Sequence, residues 1–275
     1  MHKLVPRQPN VISVRDLAAQ LSDSRSLVLL DIRFTPGKPG RREDFLKSHL
    51  PAALYIDLPS QLADPVGRAA RRGSNPVPEP DQLRADLRRL GVRNDSTIVV
   101  YDDSNGAPAA RAWWVLTWAS IVDVRLLEGG LTAWHAAGLP LSTGETAAER
   151  FGDVDVTPGH LPVIDIDAAA RFPSSGTLLD IRPLAQFGTG HIPGARSFPV
   201  DQLVGPDNRP LSGQEIADRL QRAGIDTSRP LAAYCGGGVA STLFVHALAQ
   251  IGKEVPLYPG SWSEWTADRC RPVER

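Results

Sequence analysis

The stretch Leu27-Val-Leu-Leu-Asp-Ile-Arg33 returns later in the chain as Thr177-Leu-Leu-Asp-Ile-Arg182. Both segments are apolar runs that end in Asp-Ile-Arg, a pattern typical of a buried strand with charged residues at its exit. A segment that recurs after a large separation indicates an internal repeat, and such a repeat decides the architecture before any local detail does. We therefore expect the rest of a domain to be repeated around these two strands.

The segments that follow the two strands correspond in the same order. A His-(Leu/Ile)-Pro turn at His49 and at His191 precedes a helix that ends at Gly91 or Gly224, and an apolar strand comes next. A glycine just past a helix is a common C-cap, and proline marks a turn. The last predicted strand is Glu254–Tyr258. Strands that alternate with helices predict an α/β fold, here two similar domains, each a mainly parallel sheet with helices on both faces.

The length and composition of the chain agree with two domains. It has 275 residues, with 42% hydrophobic and 22% charged residues, which is typical of a soluble protein that can bury a core. We expect a first domain at residues 1–140, a linker rich in Thr, Gly, Glu and Pro at residues 141–162, and a second domain at residues 163–275. The junction between two such domains is a preferred place for a small-molecule site.

Charge and cysteine content exclude several classes of function. Thirty basic and 31 acidic residues give a net charge of −1, so no global field attracts nucleic acid or an anionic membrane. The first ten residues lack the apolar run of a secretion signal, and no stretch has the roughly 20 apolar residues of a membrane span. We expect a cytoplasmic protein. Cys235 and Cys270 are the only cysteines, too few for a disulfide framework or a cysteine metal cluster.

The two copies differ at the loop that follows the central strand. The first copy has Asp102-Asp-Ser-Asn-Gly106, whereas the second has Cys235-Gly-Gly-Gly-Val-Ala240. In an open α/β sheet, ligands lie beyond the carboxyl ends of the strands, which is where Cys235 stands. Glycines allow successive N–H groups to curl toward one point, and the following helix adds the positive end of its dipole. The sequence therefore predicts that Cys235 is a nucleophile, and that the amides of Gly236, Gly237, Gly238, Val239 and Ala240 favour its thiolate and a persulfide formed on it. This chemistry requires no metal and no organic cofactor.

Two other interpretations of Cys235 are weaker. Most free cysteines are small apolar core residues, but a core residue does not require three glycines after it. Cysteine phosphatases also place an anion above a thiolate, but they need an arginine after five intervening residues to hold phosphate, and Ser241 occupies that place here. Cys270 lies in a polar segment without a glycine cradle, which predicts no catalytic role.

Several polar residues recur in both copies. Since the first copy lacks the cysteine, His49 and His191 are more easily explained as structural hydrogen bonders, and Arg33 and Arg182 as partners of nearby carboxylates. Arg182 shares a domain with Cys235 and is also a candidate for substrate binding, as is Ser241.

These motifs resemble those of the two-domain rhodanese family, which includes thiosulfate and 3-mercaptopyruvate sulfurtransferases. The resemblance covers nearly the whole chain, and the His-Ile-Pro-Gly-Ala195 turn and the Gly-Ser-Trp-Ser-Glu-Trp265 ending add to its specificity. It implies an inactive first domain, with Asp102 in the place of the cysteine, and a catalytic second domain. It also implies that Cys235 takes sulfur from a small donor and passes it to cyanide or a thiol. His49 maps onto a proposed family histidine, and the resemblance therefore makes it a further candidate for substrate binding.

The resemblance leaves the donor open. The loop is more similar to the mercaptopyruvate type, Cys-Gly-Ser-Gly-Val-Thr, than to the thiosulfate type, Cys-Arg-Lys-Gly-Val-Thr. Gly237 replaces the serine of the first type, and Gly236 and Gly237 replace the cations of the second. Where the mercaptopyruvate type has the stretch Gly-Arg-Phe, this chain has Ala185-Gln-Phe187, so the arginine of that stretch is missing. Thiosulfate and 3-mercaptopyruvate therefore both remain candidate sulfur donors. The alternative function is that of a persulfide carrier, which receives its sulfur from a partner protein. The oligomeric state is not predicted.

Overall fold

The computed structural model describes residues 10–21, 26–38 and 40–275. Residues 1–9, from which we expect no secretion signal, lie outside this part of the chain. Within the described ranges, no helix combines the length and the apolar character that crossing a membrane requires.

The first half of the described chain contains parallel strands joined by helices. Its strands are β1 (Val11–Ile12), β2 (Leu27–Asp31), β3 (Leu54–Tyr55), β4 (Thr97–Tyr101) and β5 (Val124–Leu127). Its helices are α1 (Val14–Gln20), α2 (Arg42–Lys47), α3 (Leu58–Gln61), α4 (Pro65–Ala69), α5 (Pro80–Arg89), α6 (Ala107–Trp118) and α7 (Gly130–Ala136).

The second half repeats this alternation with shorter strands. Its strands are β6 (Thr177–Asp180), β7 (Arg196–Ser197) and β8 (Leu231–Tyr234). Its α-helices are α8 (Ile166–Arg171), α9 (Leu184–Thr189), α10 (Gly213–Arg222), α11 (Ala240–Gln250) and α12 (Ser261–Trp265), and 3-10 turns cover Phe172–Ser174 and Val200–Gln202. As predicted, Gly91 and Gly224 follow α5 and α10 in the left-handed conformation, with φ of 73° and 65°.

Both sheets are parallel and have the same strand order. The first is β1-β5-β4-β2-β3, and the second is β7-β6-β8, extended by single parallel bridges from Ala233 to Leu257 and from Leu257 to Val163. The prediction of a full strand at Glu254–Tyr258 is wrong, because only the bridge at Leu257 forms there. Pro256 has no N–H to donate to a ladder, although its carbonyl accepts from Ala233 N–H at 3.1 Å.

Helices cover both faces of each sheet, as the sequence predicts. In β4, Ile98 and Val100 face one core, whereas Val99 and Tyr101 face another. The first of these cores continues into the second half, because α6 packs against α11. Residues 141–162 form neither helix nor strand apart from a bridge at Ser142, and this segment buries Val154, Val156 and Leu161 in the shared core.

A buried histidine lies where the two halves meet. His246 of α11 is 1% exposed, contacts Trp113 of α6 edge-on, and pairs through Nε2 with the Asn10 carbonyl oxygen at 3.1 Å. Burial lowers the pKa of His246 to about 4. The unfolded chain therefore binds a proton below pH 6.5 that the folded protein does not bind, so folding stability falls as the pH drops from 6.5 toward 4.

We expect His246 to cost the protein roughly 2 kcal/mol of unfolding free energy between pH 6.5 and pH 5. Urea unfolding of wild type and His246→Gln at pH 7 and pH 5 measures this, because the variant should lose that part of the acid sensitivity. His135→Gln, at an exposed position on α7, is the control and should keep the wild-type pH dependence. Equal pH dependence in His246→Gln and wild type would contradict the prediction.

Candidate active site

Cys235 lies directly after β8, at the carboxyl end of the second sheet. The four residues of β8 are buried, which fixes the position of the strand, and Cys235 itself is 3% exposed. Its N–H donates to Ser261 Oγ at 3.2 Å, and the Ser261 hydroxyl in turn donates to the Tyr258 carbonyl. The Cys235 sulfur therefore stands on a strand end that is anchored from a second segment of the same half.

The carbonyl groups of the loop are held by donors from α11 and α12. The Cys235 carbonyl accepts from Trp262 N–H at 2.9 Å, and the Gly236 carbonyl accepts from Ser263 N–H at 2.9 Å. The Val239 carbonyl accepts from the Thr242 hydroxyl at 2.6 Å.

The remaining two carbonyl groups are held by the first half of the chain. Asn75 Nδ2 donates to the Gly237 carbonyl at 2.8 Å, and Arg111 Nη1 donates to the Gly238 carbonyl at 3.1 Å. The half without the cysteine thus helps to hold the loop that follows Cys235.

These contacts orient the N–H groups of the loop. The carbonyl of one residue and the N–H of the next point in opposite directions across a planar peptide bond. Since the five carbonyls from Cys235 to Val239 bond to surrounding groups, the N–H groups of residues 236–240 are turned to the other side of the loop backbone. Gly238 has a left-handed φ of +78°, and a Cβ there would lie 2.4 Å from the Pro259 carbonyl oxygen. A loop with its carbonyl groups engaged in this way, followed by the first turn of α11, has the backbone arrangement that an anion nest requires.

Ser241 contacts the sulfur directly. Its hydroxyl donates to Cys235 Sγ at 3.4 Å, and the residue is fully buried on the first turn of α11. The position that carries arginine in cysteine phosphatases therefore supplies a neutral hydrogen-bond donor here, which suits a sulfur anion.

The first half contains a matching loop whose N–H groups donate to a side-chain carboxyl group. Asp102 Oδ1 accepts from the N–H groups of Ser104 at 2.8 Å and Gly106 at 3.2 Å, and Oδ2 accepts from Ala109 N–H at 3.0 Å. Burial raises the pKa of Asp102, while these backbone donors oppose that rise. In the first copy, the loop N–H groups thus donate to the side chain of Asp102. In the second copy, the corresponding loop follows the thiol of Cys235.

The repeated arginines and histidines form hydrogen bonds within their own halves of the chain. Arg182 Nη2 donates to Asp180 at 2.6 Å and to the Gly190 carbonyl at 2.7 Å, and Arg33 pairs with Asp31 in the same way. His49 stacks on the phenylalanine four residues before it and bonds to the carbonyl of that residue, as does His191.

This burial argues against the substrate-binding roles that the sequence also allows for Arg182 and His49. Arg182 is 3% exposed and lies over the Trp262 ring at 4.2 Å, so its charge is already engaged. His49 is fully buried in the first half, where Nε2 pairs with the Thr146 hydroxyl at 3.1 Å.

The contacts of Asn75, Ser261 and Arg111 with the loop were not predicted from the sequence. Asn75 lies in a segment without regular pattern, so no signal marks it. Arg111 had a signal, because a single arginine interrupts the otherwise apolar helix Ala107–Trp118 and α6 buries it completely. Cys270 is exposed, in agreement with the absence of a cradle around it.

Comparisons with known proteins agree with this geometry. The chain matches the rhodanese-like domain model at residues 13–137 and again at 165–268. It is 38% identical to a Mycobacterium tuberculosis protein named putative thiosulfate sulfurtransferase SseB, with 96% of each chain covered. It is 39% identical to a Pseudomonas aeruginosa protein named probable 3-mercaptopyruvate sulfurtransferase, with 96% of this chain and 97% of the other covered.

The fold comparison gives the same result. The structure is similar to the crystal structure of SseA from Escherichia coli, a 3-mercaptopyruvate sulfotransferase, with a TM-score of 0.82 and 27% sequence identity. The match covers 93% of this chain and 99% of that one.

Proposed function

The chain belongs to the rhodanese family and is a sulfurtransferase, and on this premise we propose that Cys235 carries the transferred sulfur as a persulfide. The observation that carries the proposal is the loop itself. Its carbonyl groups bond to surrounding residues, its N–H groups are turned to the other side of the backbone, and Ser241 donates to the sulfur at 3.4 Å. A thiolate and a persulfide are both anions that such donors stabilise.

In the first step, the Cys235 thiolate attacks the outer sulfur of a small donor. With thiosulfate, a bond forms between Sγ and that sulfur, the sulfur–sulfur bond of the donor breaks, and sulfite leaves with the electron pair. With 3-mercaptopyruvate, the carbon–sulfur bond breaks instead. Its electron pair leaves as the enolate of pyruvate, which takes up one proton, while the new persulfide loses the thiol proton of the donor. Either donor leaves Cys235 bearing one extra sulfur, and the loop amides hold its negative charge.

In the second step, a thiophilic acceptor attacks the outer sulfur of the persulfide. Cyanide would become thiocyanate and a thiol would become a persulfide, and in both cases the Cys235 thiolate leaves and is regenerated. The loop therefore holds the Cys235 thiolate in the resting enzyme and the persulfide, which has one more sulfur atom, in the intermediate. Such a double displacement requires no other nucleophile.

We propose thiosulfate and 3-mercaptopyruvate as the two donors to test. Relatives bear both names, and the loop of this chain has neither the serine nor the cations that distinguish the two types, since positions 236–238 are glycines. Recognition of the donor by backbone amides and Ser241 suits the negative charge that both donors carry.

Steady-state kinetics test this proposal. Initial rates measured with each donor at several fixed cyanide concentrations should give parallel double-reciprocal lines, because the donor product leaves before the acceptor binds. Intersecting lines would show a ternary complex and would contradict a free persulfide intermediate. Negligible turnover with both donors, together with sulfur uptake from a protein donor, would favour the persulfide carrier instead.

Two further expectations belong to this proposal. We place the boundaries of the domains at residues 1–140 and 163–275, with the linker between them, and the protein in the cytoplasm. Limited proteolysis within residues 141–162 and cell fractionation test these two points separately.

A further inference from the structure

Arg111 is a buried cation whose hydrogen bonds all go to neutral groups. It is fully buried in α6, and its guanidinium donates to four backbone carbonyls at 3.0 to 3.1 Å, those of Gly238, Leu62, Asn75 and Pro76. Its Nε is buried without a hydrogen-bond partner, and the guanidinium lies 5.4 Å from the Trp114 ring centroid. Among the ion pairs of the described residues, none includes Arg111.

A buried arginine without a carboxylate is costly, so a compensating anion is expected nearby. Burial lowers the pKa of Arg111 to about 10, and the charge interaction with Cys235 opposes this fall. The interaction between two charges is reciprocal. A thiolate that stabilises the guanidinium cation is itself stabilised by that cation to the same extent.

We propose that Arg111 is a positioning residue for sulfur transfer, supplying the buried positive charge that balances the Cys235 thiolate and persulfide while it holds the Gly238 carbonyl away from the sulfur. This inference rests on the proposed function and deepens it. It gives the half without the cysteine a defined part in the reaction.

The other charged groups near the loop are already paired or lie closer to solvent. Asp180 neutralises Arg182 beside the strand end, and Asp64 neutralises Arg72 in the first-half segment next to the loop. His246 on α11 is neutral because of its burial. The remaining ionisable groups on the elements packed against the loop are Tyr234 on β8, Tyr258 before α12, Glu264 on α12, and Arg68 and Arg71 on the first-half segment.

The test compares a charged with a neutral replacement at position 111, both in a Cys270→Ser background so that Cys235 is the only thiol. The readout is the rate of iodoacetamide alkylation as a function of pH, which reports the thiolate fraction. Arg111→Lys keeps a positive charge and should alkylate with a pH profile close to that of the parent. Arg111→Gln keeps a hydrogen-bond donor but loses the charge, so its profile should move at least one unit toward higher pH.

Asn75→Ala is the matched control for loop position. It removes the other first-half donor to a loop carbonyl, at Gly237, without changing any charge. We expect Asn75→Ala to slow persulfide formation without moving the pH profile of alkylation. Arg111→Gln should slow persulfide formation at pH 7 at least tenfold and should also move that profile. An unmoved profile in Arg111→Gln would overturn the charge role.

A measurement on the wild-type protein covers the case in which the neutral variant does not fold. Mass spectrometry of peptides separates alkylation at Cys235 from alkylation at the exposed Cys270. The proposal expects the pH profile of alkylation at Cys235 to differ from that at Cys270, because the loop of Cys235 contacts the buried Arg111, and coincident profiles would overturn it. Alkylation involves no sulfur donor, so failure of sulfur transfer and failure of the Arg111 role give different results.

Discussion

Replacing Cys235 with serine is expected to lower the rate of sulfur transfer at least about 1,000-fold with either donor. A serine hydroxyl stays protonated at neutral pH and cannot form the persulfide, so the first step has no nucleophile. The fold should persist, because serine is similar in size and Ser241 offers a hydrogen-bond partner at this buried position.

Initial rates with thiosulfate and 3-mercaptopyruvate, measured alongside thermal unfolding, test this expectation. Cys270→Ser is the matched control, since Cys270 is exposed and lies outside the loop, and it should keep the wild-type rate. Residual activity in Cys235→Ser above about 1% of wild type, well outside the predicted loss, would show that another residue carries sulfur.

Gly238→Ala is expected to lower the rate of persulfide formation about 100-fold, because a displacement of about 1 Å in a catalytic group has an effect of this size. At φ of +78°, a side chain costs roughly 1 to 2 kcal/mol. The added Cβ would also lie 2.4 Å from the Pro259 carbonyl oxygen, which is backbone and cannot rotate away. The loop must therefore shift, and the amide directions change with it.

Gly236→Ala provides the matched control within the same three glycines. An added Cβ at Gly236 meets no atom within 4 Å, and its φ lies outside the left-handed region. We expect this variant to keep most of the wild-type rate and a folding stability within about 1 kcal/mol of wild type. Equal losses in the two variants would show that glycine is needed for space around the donor, not for the backbone turn at Gly238.

The sequence predicted those parts of the molecule that depend on local pattern. The repeated Asp-Ile-Arg strands and the glycine-ended helices specify the alternating α/β elements, because side-chain periodicity and capping act within a few residues. The loop after Cys235 was likewise predictable, since glycines allow the left-handed backbone conformation that other residues rarely adopt, as at Gly238. Pro256 shows the limit of such local patterns. The apolar run at residues 254–258 forms only a bridge at Leu257, because Pro256 has no N–H to donate to a strand ladder.

The remainder of the site depends on how the two halves pack. Arg111 is 127 residues from Gly238 in the chain, and Asn75 is 162 residues from Gly237. Their contacts with the loop exist because α6 lies against α11, and no local pattern specifies that arrangement. The sequence could therefore place Cys235 and its glycine loop at the end of a strand but not the first-half groups that hold the loop.

The most direct test of sulfur transfer through Cys235 is the intact mass of the purified protein after incubation with thiosulfate and, separately, with 3-mercaptopyruvate. We predict a gain of one sulfur atom, about 32 Da, in the wild-type protein with at least one donor, and no gain in Cys235→Ser. The added mass should disappear when cyanide is supplied. No gain with either donor, or the same gain in Cys235→Ser, would contradict a Cys235 persulfide formed from a small donor.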